Sequence, residues 1–174
     1  MQATEQEMPL LVTLEQAPII LEKILLSAGD DEFQWKPAPE RWSISEVLAH
    51  LVDVEKVFRQ RAKAMVEQEL PRLEAYDQNV AYAAGKYSGG KGREPLRQFC
   101  QERDATLSWL RYVPPTALAR RGLHAEIGEI TLAHLLNEWA FHDLGHVRQI
   151  CELYRARCFY PHMGGFQRYY TVKP

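Results

Sequence analysis

Two histidines, His142 and His146, lie four residues apart in the segment F-H-D-L-G-H-V-R-Q-I, which runs from Phe141 to Ile150. In an α-helix, residues with this spacing stand on one face with Cβ atoms roughly 5–6 Å apart, so two imidazole nitrogens can reach one metal ion at about 2.1 Å each. Two ligands make a weak site, and a third would strengthen it. The candidate is His50, which borders the apolar stripe of an earlier predicted helix.

The same histidines can also be interpreted as polar residues of the core that hydrogen-bond to one another, because an inward-facing imidazole needs a partner. From the residues alone, both interpretations stay open. The other histidines are weaker candidates. His134 lies about 12 Å along the helix axis from His142, too far to share its ion, and His124 and His162 fall in predicted connections.

Two familiar metal motifs do not fit. The zinc-protease motif HExxH has a glutamate directly after its first histidine to activate water, whereas this chain has Asp143 there. A di-iron bundle needs paired Glu-x-x-His motifs, and neither Glu138 nor Glu152 has a histidine three residues further on. Neither class is therefore favoured.

Four segments carry the helical periodicity that must position these histidines. None shows sustained two-residue alternation with hairpin turns, so the pattern predicts an all-α fold, a four-helix bundle. Pro18 suits the first turn of the first helix, which could therefore begin as late as Ala17. The predicted helices cover residues 13 or 17 to 28, 43 to about 67, 93 or 94 to 112, and 131 to about 157.

The start of the second helix is the clearest boundary. Ser43 and Glu46 form the pattern of a capping box, in which each side chain binds the other residue's backbone amide. Trp42 and Val47 flank it at the spacing of a hydrophobic staple. His50 follows one turn later.

The connection between the second and third helices, residues 68 to 92, is long. Fully extended it would span about 80 Å, enough to recross a bundle whose 20-residue helices are about 30 Å long. It therefore allows an up-down-down-up arrangement with a crossover. Three tyrosines of this connection, Tyr76, Tyr82 and Tyr87, could cover a pocket or simply pack.

Composition narrows the function further. The 174 residues include 21 basic and 23 acidic side chains without a long basic block, which argues against a nucleic-acid partner. The polar N-terminus and a short following apolar run predict neither a signal peptide nor a membrane span. The three cysteines form no CxxC pair. We expect one domain, residues 1–174, in a cytoplasmic protein.

Two segments together resemble a known family: R-W-S-I-S-E-V-L-A-H-L-V-D-V-E, from Arg41 to Glu55, and the segment that contains His142 and His146. In this order and at this separation they resemble the DinB-like superfamily of bacterial metal-binding four-helix bundles, over nearly the whole chain. The resemblance implies an up-down-down-up bundle and one divalent ion (Zn, Ni, Fe or Mn), which His50, His142 and His146 would hold with one side open to water. Relatives include thiol-dependent S-transferases, a mycothiol-dependent maleylpyruvate isomerase and proteins described as metal-dependent hydrolases, and homodimers are common among them.

Three protein ligands leave coordination positions for water or substrate, as in a catalytic site. We therefore expect a divalent-metal-dependent enzyme for a small-molecule substrate, either a hydrolase or a low-molecular-weight-thiol S-transferase. The alternative is a non-catalytic metal-binding or stress-related binding protein with a structural ion. Cations for an anionic thiol would be Arg148, Lys86, Lys91 or Arg168, although a solvated surface charge is the better explanation of each. The sequence assigns no catalytic or cofactor-binding side chain, and ordinary imidazole pKa values predict loss of metal below about pH 6.

Overall fold

The computed structural model describes residues 8–88 and 90–172 of the chain. Its α-helices are α1 (Met8–Ile24), α2 (Asp30–Gln34), α3 (Ile44–Glu67), α4 (Gln78–Ala83), α5 (Glu94–Leu110) and α6 (Leu132–Cys158). Its strands are β1 (Arg72–Leu73), β2 (Arg121–His124) and β3 (Gly128–Thr131). Short 3₁₀ segments span Pro115–Ala119, Tyr160–His162 and Gly164–Tyr169.

The four long helices α1, α3, α5 and α6 form the bundle, and each packs against two of the others. α1 and α3 each contact both α5 and α6. Along α3 and α5, Ser45 bonds to Gly92 and Arg59 to Glu102, the order expected of helices that run in the same direction. Along α3 and α6, Glu55 bonds to Trp139 and the earlier residue His50 lies beside the later residue His146, as expected of opposite directions.

α1 differs from its sequence prediction. It begins at Met8, passes through Pro18 and ends at Ile24 instead of Ala28. Proline lacks the N–H that would bond to the carbonyl four residues earlier, and here that carbonyl belongs to Leu14. Nη1 of Arg103 donates to the Leu14 oxygen at 2.6 Å, so the helix continues without leaving a buried acceptor unpaired.

The other three long helices confirm their predicted bounds to within about two residues, the usual uncertainty of a helix end. The predicted capping box of α3 is present. The backbone N–H of Glu46 donates to Ser43 Oγ at 3.2 Å, and the N–H of Ser43 donates to Glu46 Oε2 at 2.9 Å. Because this box starts the helix at Ile44, it determines which turn of α3 carries His50.

The connections contain structure that the periodicity does not predict. β1 pairs in parallel with β2, and β2 pairs antiparallel with β3, so a small sheet lies against one end of the bundle. Gly122 allows this close approach, because a Cβ there would lie 2.9 Å from Leu73 Cδ1 and 3.0 Å from Met65 Cγ. The long connection also contains α4. Among the described residues, no helix is both long and apolar enough to cross a bilayer.

The apolar core consists of two clusters, one on either side of a buried charged group. One cluster includes Leu14, Phe58 and Trp139, and the other includes Leu51 and Ile150. Between them, the side chains of Glu55, Arg103 and Asp143 are at most 2 % exposed. Charges that are buried in this way must be paired. Arg103 pairs with Glu55 and Asp143, and Asp143 directly follows His142 in the chain.

Candidate metal centre

His50, His142 and His146 converge between α3 and α6. Nε2 of His142 lies 3.3 Å from Nε2 of His50 and 3.2 Å from Nε2 of His146. One nitrogen from each ring can be chosen so that all three lie within 4.8 Å of one another. The structure thus brings together all three of the site residues predicted from the sequence.

These separations fit a shared ion. Nitrogens that bind one ion at about 2.1 Å, with angles between about 90° and 109°, lie roughly 3.0–3.4 Å apart. The two measured separations, 3.2 and 3.3 Å, fall inside that range. Hydrogen bonding alone is a poorer explanation, because a neutral imidazole nitrogen offers either one proton or one lone pair. Nε2 of His142 cannot satisfy both neighbours equally.

Two of the imidazoles, those of His50 and His146, resist protonation and are therefore suited to ligation. Burial, together with the positive charges that His146 and His142 would carry, lowers the pKa of His50 to about 3. Burial, with the neighbouring His142, lowers the pKa of His146 to about 4. Both rings are therefore neutral at pH 7, with lone pairs available for a metal.

The second nitrogens of the rings have different surroundings. Nδ1 of His146 lies 2.8 Å from Oε1 of Gln149, which as an acceptor selects the tautomer with the proton on Nδ1 and the lone pair on Nε2. Nδ1 of His50 lies 3.4 Å from the hydroxyl of Tyr87. Nδ1 of His142 is buried without a hydrogen-bond partner, 3.9 Å from Oδ1 of Asp143.

Asp143 faces away from the three Nε2 atoms, into the core. Its Oδ2 accepts from Nη2 of Arg103 at 2.6 Å. Arg103 also donates to both oxygens of Glu55, at 2.9 and 2.6 Å, and Trp139 Nε1 donates to Glu55 at 3.0 Å. Asp143 is thus engaged in a buried ion pair, which adds a structural reason to the sequence argument against a protease-like role.

Among the described residues, an inner cavity and an outer cleft reach the histidines. The inner cavity has a volume of about 280 Å³, and its lining includes His50, Phe58, Arg61, Tyr76, Glu138 and His142. The outer cleft has a volume of about 500 Å³, and its lining includes Arg41, Glu138, His142, Gly145, His146 and Arg148. His142 and Glu138 line both. A ligand can therefore approach the histidines from two directions.

The four cations that the sequence offers for binding an anionic thiol lie in different surroundings. Arg148 lines the outer cleft. Lys86 is ion-paired with Asp53 at 2.7 Å, and Lys91 lines a different cleft. Arg168 lies over the ring of Tyr169 near the C-terminus. Of the four, Arg148 alone lines the inner cavity or the outer cleft.

Sequence reasoning missed several residues of this region. Glu138 stands one turn before His142, so the same spacing of four that reveals the histidine pair could have revealed it. Arg103 gave no such signal, because it lies in the polar run Q-E-R-D and looks like a surface residue. Tyr87 was not missed, because it is one of the three tyrosines that could cover a pocket or simply pack, but the sequence does not distinguish it from Tyr76 and Tyr82.

Comparison with known proteins places this geometry in context. The family model for the DinB superfamily matches residues 13–150. Among solved structures, YfiT from Bacillus subtilis superposes with a TM-score of 0.78 at 21% sequence identity, over 90% of each chain. YfiT is described as a probable metal-dependent hydrolase with an unusual four-helix bundle topology. At this identity the likeness shows the four-helix bundle fold. No curated protein matches the chain.

Proposed function

The chain belongs to the DinB superfamily, and from this membership and its convergent histidines we propose that it is a divalent-metal-dependent enzyme that acts on a small-molecule substrate. The observation that carries the proposal is the meeting of His50, His142 and His146 at the junction of two openings. Three imidazole ligands would leave coordination positions free for water or substrate.

When bound, the ion would supply Lewis acidity, lowering the pKa of a water or thiol ligand or polarising a carbonyl. The chain's own residues would bind and orient the substrate. Val54, Phe58 and Ile127 give the inner cavity an apolar wall, which would hold the body of a substrate and exclude water. Arg61 offers hydrogen-bond donors on the same lining.

Hydrolysis is the reaction that we place first. Glu138 is the carboxylate shared by the inner cavity and the outer cleft, so it is placed to accept a proton from a water molecule beside His142. The description of YfiT as a probable metal-dependent hydrolase points in the same direction.

Transfer of a low-molecular-weight thiol is the second candidate, and a specific observation favours it. Arg41 and Arg148 both line the outer cleft beside His146. Two guanidinium groups would attract and orient the carboxylates of an anionic thiol. In this reaction the histidine site would favour the thiolate form of the thiol, and the electrophile would occupy the inner cavity.

The test is metal content measured together with turnover. The wild type should retain about one equivalent of divalent metal when purified without chelator, and His50→Ala, His142→Ala and His146→Ala should each lose most of it. His162→Ala is the matched control, since His162 is exposed and lies outside both openings. Equal and sub-stoichiometric metal in all five proteins would reject the site.

Turnover then separates an enzyme from a binding protein. Protein reconstituted in parallel with Zn²⁺, Ni²⁺, Fe²⁺ and Mn²⁺ is assayed against a panel of esters and amides, and against a generic electrophile with several thiols. Hydrolysis above the level of His142→Ala supports the first candidate, and thiol conjugation supports the second. A metal-loaded protein with no turnover in either panel would favour a structural ion.

A further inference from the structure

The long connection between α3 and α5 reaches the metal centre through the side chain of Tyr87. Tyr87 is 2 % exposed, and its hydroxyl lies 3.4 Å from Nδ1 of His50, itself 1 % exposed. Because Nε2 of His50 faces His142, a ligating His50 must carry its proton on Nδ1. The Tyr87 oxygen is the acceptor that this N–H meets.

Tyr87 is itself held from α3. Its hydroxyl lies 3.3 Å from Oδ2 of Asp53, and the hydroxyl of Tyr76 donates to Asp53 and lies within hydrogen-bonding distance of the Tyr87 hydroxyl. Nζ of Lys86 lies 2.7 Å from each oxygen of Asp53. Asp53 is three residues after His50, so it stands on the same side of α3. Three side chains of the connection are thus gathered by one carboxylate beside His50.

Packing against aromatic rings also restricts the orientation of the His50 imidazole. The His50 ring meets Trp42 edge-on at 5.4 Å between centroids, and meets Tyr87 edge-on at 5.5 Å. Trp42 also stacks on Tyr82 of the connection at 4.8 Å. His50 therefore has little freedom to rotate while the connection is closed over it.

We propose that Tyr87, held by Asp53 and Tyr76, is the positioning residue of the metal centre: it holds His50 with Nε2 toward the other histidines, so that closure of the connection and metal binding strengthen each other. The identity of the ligand as a divalent ion rests on the proposed function. The role of Tyr87 does not depend on which reaction the ion supports.

The expected loss of metal affinity can be judged from other proteins in which a metal-bound histidine loses its hydrogen-bond partner. Loss of such a partner typically weakens metal affinity about 10–100-fold. Coupling is reciprocal, so metal should also protect the connection against local opening. A residue that merely packs would change folding stability without selecting the tautomer of His50.

The test measures Zn²⁺ affinity by competition with a chromophoric chelator. Tyr87→Phe and Asp53→Asn should bind Zn²⁺ about 10–100-fold more weakly than wild type. Tyr82→Phe is the matched control. It also loses a hydroxyl of the connection, bonded there to Lys36 Nζ at 3.3 Å, and should keep the wild-type affinity.

Two further readouts separate positioning from stability. In metal-free protein at pH 7, ¹⁵N spectra should show His50 as the Nδ1–H tautomer in wild type and Tyr82→Phe, and as a tautomer mixture in Tyr87→Phe. Zn²⁺ should slow proteolysis of residues 72–88 in wild type and much less in Tyr87→Phe.

Each outcome has a defined meaning. Equal Zn²⁺ affinity in wild type and Tyr87→Phe overturns this inference and leaves the proposed function intact. Binding by wild type without turnover rejects the enzymatic proposal, while the affinity comparison still decides the role of Tyr87. A wild type that binds none of the four metals overturns both.

Discussion

Arg103 donates a hydrogen bond to the carbonyl oxygen of Leu14 at 2.6 Å, and this carbonyl is the one that Pro18 cannot bond. The same guanidinium holds Glu55 and Asp143 and lies over the rings of Phe99 and Trp139. One buried cation therefore joins α1, α3, α5 and α6 directly behind the histidines. Although burial opposes the charged form, the bonds to Glu55 and the charge of Asp143 raise the pKa of Arg103, so it stays charged.

Arg103→Ala should destabilise the fold strongly, because it leaves two carboxylates buried without a cation. Breaking a buried pair in this way typically costs about 3–5 kcal/mol. In a Pro18→Ala background the loss should be smaller by about 1 kcal/mol, since the N–H of the new alanine can bond to the Leu14 oxygen. Urea unfolding of the four proteins in the cycle measures this coupling. Strictly additive free energies of unfolding would show that Arg103 does not compensate for the proline.

The pH dependence of the metal-free fold should follow from the depressed pKa values of His50 and His146. Their pKa values are about 3 and about 4 in the folded chain and about 6.5 when unfolded. Between these limits the unfolded chain binds more protons, so the free energy of unfolding should fall as pH drops from about 6.5 toward 4. The slope should be up to about 1.4 kcal/mol per pH unit for each histidine.

Urea unfolding of chelator-treated protein between pH 7 and pH 4 measures this loss, and the double variant His50→Phe/His146→Phe should show a flatter profile. An identical slope in wild type and variant would contradict the assignment. In the folded chain, protons compete for the nitrogens of His146 and His50 only as the pH approaches their pKa values of about 4 and about 3. Both values lie below the value of about 6 that unperturbed imidazoles predict.

Features that are set by residues close together in the sequence could be predicted, whereas contacts between distant segments could not. The spacing of His142 and His146 and the capping box of Ser43 and Glu46 act within one turn of a helix, so they predict which turns carry the histidines. The continuation of α1 through Pro18 depends on Arg103, a donor from a different helix. The outer partner of His50 depends on how the connection folds back over α3. Periodicity carries no information on either contact.

If the proposed function is correct, Gly145→Ala should make the fold more stable and lower the catalytic activity. Nothing lies within 4 Å of the place that a Cβ would take at Gly145, so alanine should stabilise α6 by about 0.5–1 kcal/mol. The added methyl would project into the outer cleft beside His146. If substrate enters there, KM should rise while the melting temperature rises as well.

Gly165→Ala is the control for this substitution, because its Cβ would also meet nothing within 4 Å and it lies outside both openings. It should leave KM unchanged. An unchanged KM in the bulkier Gly145→Leu would show that substrate does not use the outer cleft.

Glu138→Gln should separate chemistry from metal binding. The substitution keeps the shape of the side chain but removes its ability to accept a proton. If Glu138 acts as the general base, hydrolysis should slow about 10²–10⁴-fold with metal content unchanged, and the acidic limb of the pH–rate profile should disappear. Glu152→Gln is the control, because Glu152 lines only the outer cleft and is paired with Arg155 at 2.7 Å. Equal rates for wild type and Glu138→Gln would show that this carboxylate takes no part in the reaction.

The same variant also distinguishes the two candidate reactions. Thiolate attack needs a guanidinium to orient the thiol, but it does not need a base to deprotonate water. A thiol-transfer activity that survives Glu138→Gln but falls in Arg148→Ala would therefore favour the second candidate.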